Sequence, residues 1–176
     1  MKYVDLTNVQ EAGSYKRIKP GGYICRIQKV TDVFDKEYLK IEFDIADGEF
    51  KGYYRDLYNR FGNWTGNYCQ SYGNNSLPFF KALITAIEKS NNGYKFDFNE
   101  HTLAGKYVGF VFGEEEYINP SGEVKTRVKP TLARSVEAIR NKDFSVPELK
   151  RLESPQTGYG GDGFVPVDDD GYPWEQ

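Results

Sequence analysis

Between Lys51 and Tyr72 the chain interleaves cations with rings: Lys51, Tyr53, Tyr54, Arg55, Tyr58, Arg60, Phe61, Trp64, Tyr68 and Tyr72. Neighbouring side chains on a strand point to opposite faces, so one strand cannot bury them all. Some rings must be exposed or covered by a partner. Rings beside Arg and Lys are what single-strand nucleic-acid binding needs. Bases stack on the rings, each worth about 1–3 kcal/mol, while the cations track the phosphates. The same residues would also suit a loop packed onto a barrel, or a dimer interface, where Tyr and Trp are enriched.

A second set of cations lies further on, at Lys106, Lys125, Arg127, Lys129 and Arg134. Lys125, Arg127 and Lys129 alternate, which predicts a basic stripe along one face of a strand. Arg26 and Lys40 occupy the polar sides of two earlier strand-like runs and join the candidate DNA-binding set. Glu114, Glu115 and Glu116 oppose it, because three acids facing a groove would repel a phosphate backbone.

Catalytic chemistry has one foothold. Glu49-Phe50-Lys51 carries the Glu-x-Lys spacing of a magnesium nuclease superfamily, and Asp44 lies upstream. Asp47-Gly48-Glu49 equally reads as a hairpin turn. The two cysteines, Cys25 and Cys69, form no Cys-x-x-Cys pair, and His101 is the single histidine. That pattern predicts neither a zinc site nor a disulfide framework, and points to a reducing compartment. Cys25 reads as a small buried hydrophobe and Cys69 as an exposed thiol. His101 sits in a loop without a spaced Ser or Cys partner, and no Gly-rich loop opens a helix after a strand. No metal, cofactor or catalytic residue is expected.

The elements that must carry these residues follow from periodicity. Tyr23 to Val30 is a strand, and Glu37 to Ala46 alternates cleanly, with Leu39, Ile41, Phe43 and Ile45 on one face. Asp47-Gly48 then predicts a hairpin into a third strand over Glu49 to Tyr58. Residues 59–76 read as loop. A helix opens at Ser76, with Pro78 in its first turn and Phe79, Phe80, Leu83, Ile84 and Ile87 as its stripe, and stops near Asn91-Asn92-Gly93. Strands over Tyr107 to Phe112 and Val124 to Leu132 form a hairpin around Asn119-Pro120-Ser121-Gly122. Short helices are expected at Ser135–Arg140 and Pro147–Arg151.

Three strands, a helix and two strands is the element order of a five-stranded OB-fold barrel, with its helix between strands three and four. Composition agrees: aromatics reach 16% with 18 glycines, which favours sheet and turns over helix. No run of about 18 apolar residues predicts a membrane span, and Met1 to Leu6 lacks the apolar core of a signal peptide.

Charge divides the chain in two. Residues 1–151 hold 23 basic and 20 acidic residues, whereas Leu152 to Gln176 hold six acids and no cation. The expected organisation is a binding domain over 1–152 and a disordered acidic tail over 153–176. Asp168, Asp169, Asp170, Tyr172 and Trp174 combine acids with an aromatic-proline plug, suited to a basic-rimmed apolar pocket on a partner protein.

Several stretches resemble a known family. They are Gly22-Tyr23-Ile24-Cys25-Arg26-Ile27, residues 38–50, Phe112-Gly113-Glu114-Glu115-Glu116-Tyr117, residues 134–140 and Val146-Pro147-Glu148-Leu149-Lys150. Together, over residues 15–152, they resemble the small single-stranded DNA-binding proteins encoded by phages and prophages of Gram-positive bacteria. The resemblance implies an OB-fold and a role in phage replication or recombination, in the cytoplasm of the bacterial host. The tail resembles that of bacterial single-stranded DNA-binding proteins, although Trp174 here precedes Glu175-Gln176 where those end in Pro-Phe. It implies recruitment of replication and recombination proteins. The expectation is a non-catalytic protein that coats single-stranded DNA, as a homodimer because one small barrel offers a short track. The rivals are a β-barrel protein-interaction adaptor and a magnesium-dependent nuclease.

Overall fold

The computed structural model describes residues 1–5, 7 and 16–152, so the tail residues Asp168, Asp169, Asp170, Tyr172 and Trp174 lie outside the described residues. The chain is mainly β. Strands β1 (Gly21–Val33), β2 (Tyr38–Ile45), β3 (Asn67–Ser71), β4 (Tyr107–Ile118) and β5 (Val124–Arg134) form one antiparallel sheet in the order β3-β2-β1-β4-β5. Helices α1 (Tyr53–Phe61), α2 (Leu77–Ser90) and α3 (Val136–Arg140) complete it.

β1 holds the sheet together because it is shared. Gly21 to Arg26 pair with Phe112 to Tyr107 of β4, while Cys25 to Val33 pair with Ile45 to Tyr38 of β2. The register shifts between Ile27 and Lys29, and a bulge of this kind bends a strand. The alternation of β2 is obeyed on its inner face: Ile41 and Phe43 are fully buried, and Leu39 and Ile45 nearly so. Phe43 is the hub of the core, with its ring 4.9 Å from Phe110, 5.3 Å from Tyr54 and 6.1 Å from Phe112.

The expected closed barrel is not formed. β3 and β5 end the strand order, and no pairing joins them among the described residues. α2 packs on β3, β4 and β5 near this seam, where a cavity of about 330 Å³ lies between Tyr68 and Gln70 of β3 and Thr131 to Arg134 of β5. Leu83 and Ile87 of α2 are fully buried, but Phe79, expected in the same stripe, is 62% exposed beside the cavity. Ser76 holds the N-cap position without a side-chain capping bond.

Three local expectations are corrected. Glu49 to Tyr58 is not a strand: the chain turns at Gly48 and Gly52, both at positive φ, and enters α1. The loop expected over 59–76 contains β3, an edge strand that turns only Tyr68 and Gln70 inward opposite Ile41 and Leu39. Pro147–Arg151 is not a helix: Lys150 bridges to the edge of β4 beyond the start of β1, which offers backbone groups. Lys150 donates its N–H to Glu114 O at 2.9 Å, and its carbonyl accepts from Glu116 N–H at 2.9 Å. The helix at Ser135–Arg140 does form, with Ser135 Oγ accepting from Ala138 N–H.

The segment from α3 to Arg151 straps the outer face of β1 and β4. It fits because two outward positions are glycine. A Cβ on Gly22 would lie 2.4 Å from Phe144, and one on Gly109 would lie 2.3 Å from Ile139 and 2.9 Å from Arg134 O. Gly109→Ala must displace backbone as well as side chain, and is expected to lose about 1–3 kcal/mol. Urea denaturation checks this: the midpoint should fall with the slope unchanged. Among the described residues no helix is long and apolar enough to cross a membrane.

Candidate nucleic-acid interface

The site is built around the start of α1. The 47–52 turn carries few apolar residues to anchor it, and a strand carboxylate does so instead. Asp44 Oδ1 accepts the N–H of Tyr54 at 3.0 Å and of Ile45 at 2.9 Å, tying the first turn of α1 to the end of β2. Helix N-termini expose unpaired donors and favour anions, which is why a buried acid is tolerated there. Glycine at 52 lets Arg55 fold back over the turn, since a Cβ would lie 2.7 Å from its Nη2.

Asp44 thereby sits at the edge of a concavity of about 260 Å³, lined also by Arg26, Gln28, Lys51, Arg55 and Tyr107. Arg26 is the register partner of both Asp44 on β2 and Tyr107 on β4, so the three side chains stand abreast on the outer face of the sheet. Arg26 Nε donates to Gly105 O at 3.3 Å. Arg26, Lys51 and Arg55 are all exposed, and Tyr107 is 42% exposed. Three cationic residues, from β1, the 47–52 turn and α1, therefore line one concavity together with one open ring. That is the equipment for a phosphate flanked by a base.

The chain matches no family model and no curated protein.

Burial pushes the Asp44 carboxyl above its ordinary 3.8, against the pull of the Tyr54 and Ile45 N–H groups and the Arg55 charge. The folded state thus holds this proton more tightly than the unfolded chain does. This group's contribution to stability accordingly falls as pH rises from 3.8 through its raised folded value. Asp44→Asn keeps an oxygen acceptor and removes the titration. It should stay within about 1 kcal/mol of the parent at pH 7, whereas Asp44→Ala, which orphans both N–H groups, should lose about 1–3 kcal/mol. Chemical denaturation at pH 4 and pH 7 separates the two.

Other candidate residues are placed elsewhere. Tyr54 is 5% exposed and belongs to the core, so its ring is not on offer to a base. Tyr53 is half-buried, edge-on to Phe50 and Tyr54. Trp64 is half-buried, donating Nε1–H to Gly66 O, while Tyr58 is 47% exposed with its ring 6.0 Å from Trp64. Arg60 is exposed on α1, and Lys40 is half-buried on β2. Lys106 Nζ lies over the Tyr94 ring at 4.5 Å.

The stripe on β5 is largely matched by carboxylates. Arg127 Nη2 and Lys129 Nζ each lie 2.7 Å from Glu115 Oε1, and Lys125 Nζ lies 3.3 Å from Glu123. Burial pushes the Glu115 carboxyl up, but the Lys129 and Arg127 contacts outweigh it and hold it below its ordinary value.

Of the residues in the nuclease reading, Asp44 and Lys51 line the concavity and Glu49 does not. Asp44 Oδ1 holds two backbone N–H groups, and Glu49 pairs with Lys16 on the surface. Among the described residues no group of three His, Cys, Asp or Glu side chains is placed to hold a metal ion. His101 is exposed in the turn Glu100–Leu103, Cys25 is buried with its thiol pushed well up by burial, and Cys69 is exposed on β3.

Sequence reasoning missed Tyr107 and Gln28. For Tyr107 the signal was parity, since it precedes the inward Val108 and points outward; Gln28 lies within the register shift between Ile27 and Lys29, where alternation breaks.

Proposed function

We propose that this protein binds single-stranded DNA with little sequence preference and without catalysis, in phage replication or recombination inside the bacterial host. The observation that carries this reading is the convergence of Arg26, Lys51 and Arg55 on one concavity beside the exposed Tyr107. The finer fold we infer is an OB-fold with one unclosed seam. It is supported by the order β3-β2-β1-β4-β5, the bent β1 shared between β2 and β4, and α2 between β3 and β4. The acidic tail recruits partner proteins, and a homodimer lengthens the track for the strand.

Titration of fluorescent oligo-dT over a salt series, with and without magnesium, tests the reading. Log affinity should fall linearly with log salt, by about 0.7 per phosphate contact, and the oligomer should stay intact. Cleavage would establish the nuclease instead. Neither binding nor cleavage would leave the protein-interaction adaptor.

A further inference from the structure

The aromatic stretch that first suggested stacking is mostly spent on structure. Tyr54 is buried against Phe43, Tyr53 is edge-on to Phe50, and Tyr68 lies 4.8 Å from Phe110. In the cationic concavity the lining aromatic is a different residue, Tyr107. It opens β4, 36 residues beyond the end of β3 at Ser71. Resting on the single-strand reading above, we infer that Tyr107 is the base-stacking residue of this protein. The concavity then takes one nucleotide unit of a strand whose bases are unstacked, its base on the Tyr107 ring and its phosphate among Arg26, Lys51 and Arg55.

The placement of Tyr107 favours this role. Its backbone is held at both polar groups by Asn91, whose side chain accepts from Tyr107 N–H at 3.0 Å and donates to Tyr107 O at 2.8 Å. Arg26 is its cross-strand partner, and such pairs keep their Cβ atoms about 5 Å apart. A sugar joins phosphate to base over a similar span, so one nucleotide can engage both side chains at once. Duplex DNA keeps its bases stacked on each other and offers none to this ring. The Asp44 carboxylate, held by the N-terminus of α1, keeps a phosphate out of its own side of the concavity and toward the cations.

The experiment compares oligo-dT with an abasic phosphodiester oligomer of equal length, against the full chain, Tyr107→Phe and Tyr107→Ala, at one salt concentration. The parent should prefer oligo-dT. Tyr107→Ala should weaken oligo-dT binding about 5- to 150-fold while leaving abasic binding and the salt slope unchanged, and Tyr107→Phe should restore the preference. Equal weakening toward both oligomers would make Tyr107 a structural residue and overturn the inference. So would oligo-dT binding that Tyr107→Ala does not change, and either result leaves the single-strand reading standing. Failure of the parent to bind either oligomer removes that reading and the inference with it. Should the alanine variant fold poorly, Tyr107→Leu replaces it: it keeps apolar bulk without a ring, its denaturation midpoint should stay near that of Tyr107→Phe, and a retained oligo-dT preference in it would overturn the inference.

Discussion

Replacing Arg26, Lys51 and Arg55 together with serine is expected to weaken oligo-dT binding about 100-fold at 50 mM salt and to lower the log–log salt slope by about 2. The reasoning is electrostatic. Each cation that neutralises a phosphate on a single strand releases about 0.7 of a counterion, so three lost contacts remove a slope near 2 and the affinity that goes with it. All three side chains are exposed, so the fold should survive their loss. The control is Arg127→Ser with Lys129→Ser, whose cations already face Glu115. That pair should change the slope far less. A triple variant with the parental slope would move the binding surface away from the concavity.

Tyr54→Ala is expected to lose about 3–5 kcal/mol of stability, as large aromatic truncations in a core do. Tyr54 is 5% exposed, stacks edge-on to Phe43 at 5.3 Å, and heads the helix that Asp44 caps. Its phenol is pushed far above the ordinary tyrosine value by burial, so it stays neutral throughout the accessible pH range. Urea denaturation measures the loss. Whatever fraction remains folded should bind oligo-dT with parental affinity, because the ring is inside. Full stability with weakened binding would place Tyr54 on the surface and contradict the packing around Phe43.

These two variants divide the same ten-residue neighbourhood, 51–60, into site and core, and local pattern could not make that division. Tyr54, Leu57, Tyr58 and Phe61 have the spacing of one helix face, while the aromatics flanking them fit a strand equally well. What decided between them was a contact ten residues away, from the Asp44 carboxylate to Tyr54 N–H. β3 was hidden for the opposite reason. An edge strand that sends only Tyr68 and Gln70 inward needs no apolar alternation, and Asn67–Ser71 has none. Pro147–Arg151 takes its conformation from the free edge of β4, which its own residues do not encode.

The sequence by itself determined the mainly β character, the inner face of β2, the core side of α2 and the β4–β5 hairpin, and it offered Arg26, Lys51 and Arg55 only among thirteen candidate residues. Each of these depends on residue type and on periods of two or 3.6, which are local properties of the chain. The tertiary structure alone decided that β3 and β5 leave the sheet open, that Glu115 occupies Arg127 and Lys129, that Tyr54 is inside, and that Arg26, Lys51, Arg55 and Tyr107 line one concavity. Those outcomes depend on which residues far apart in the chain become neighbours, as Arg26 and Tyr107 do across β1 and β4. Strand register is set by burial of the whole inner face at once, so no short stretch carries it.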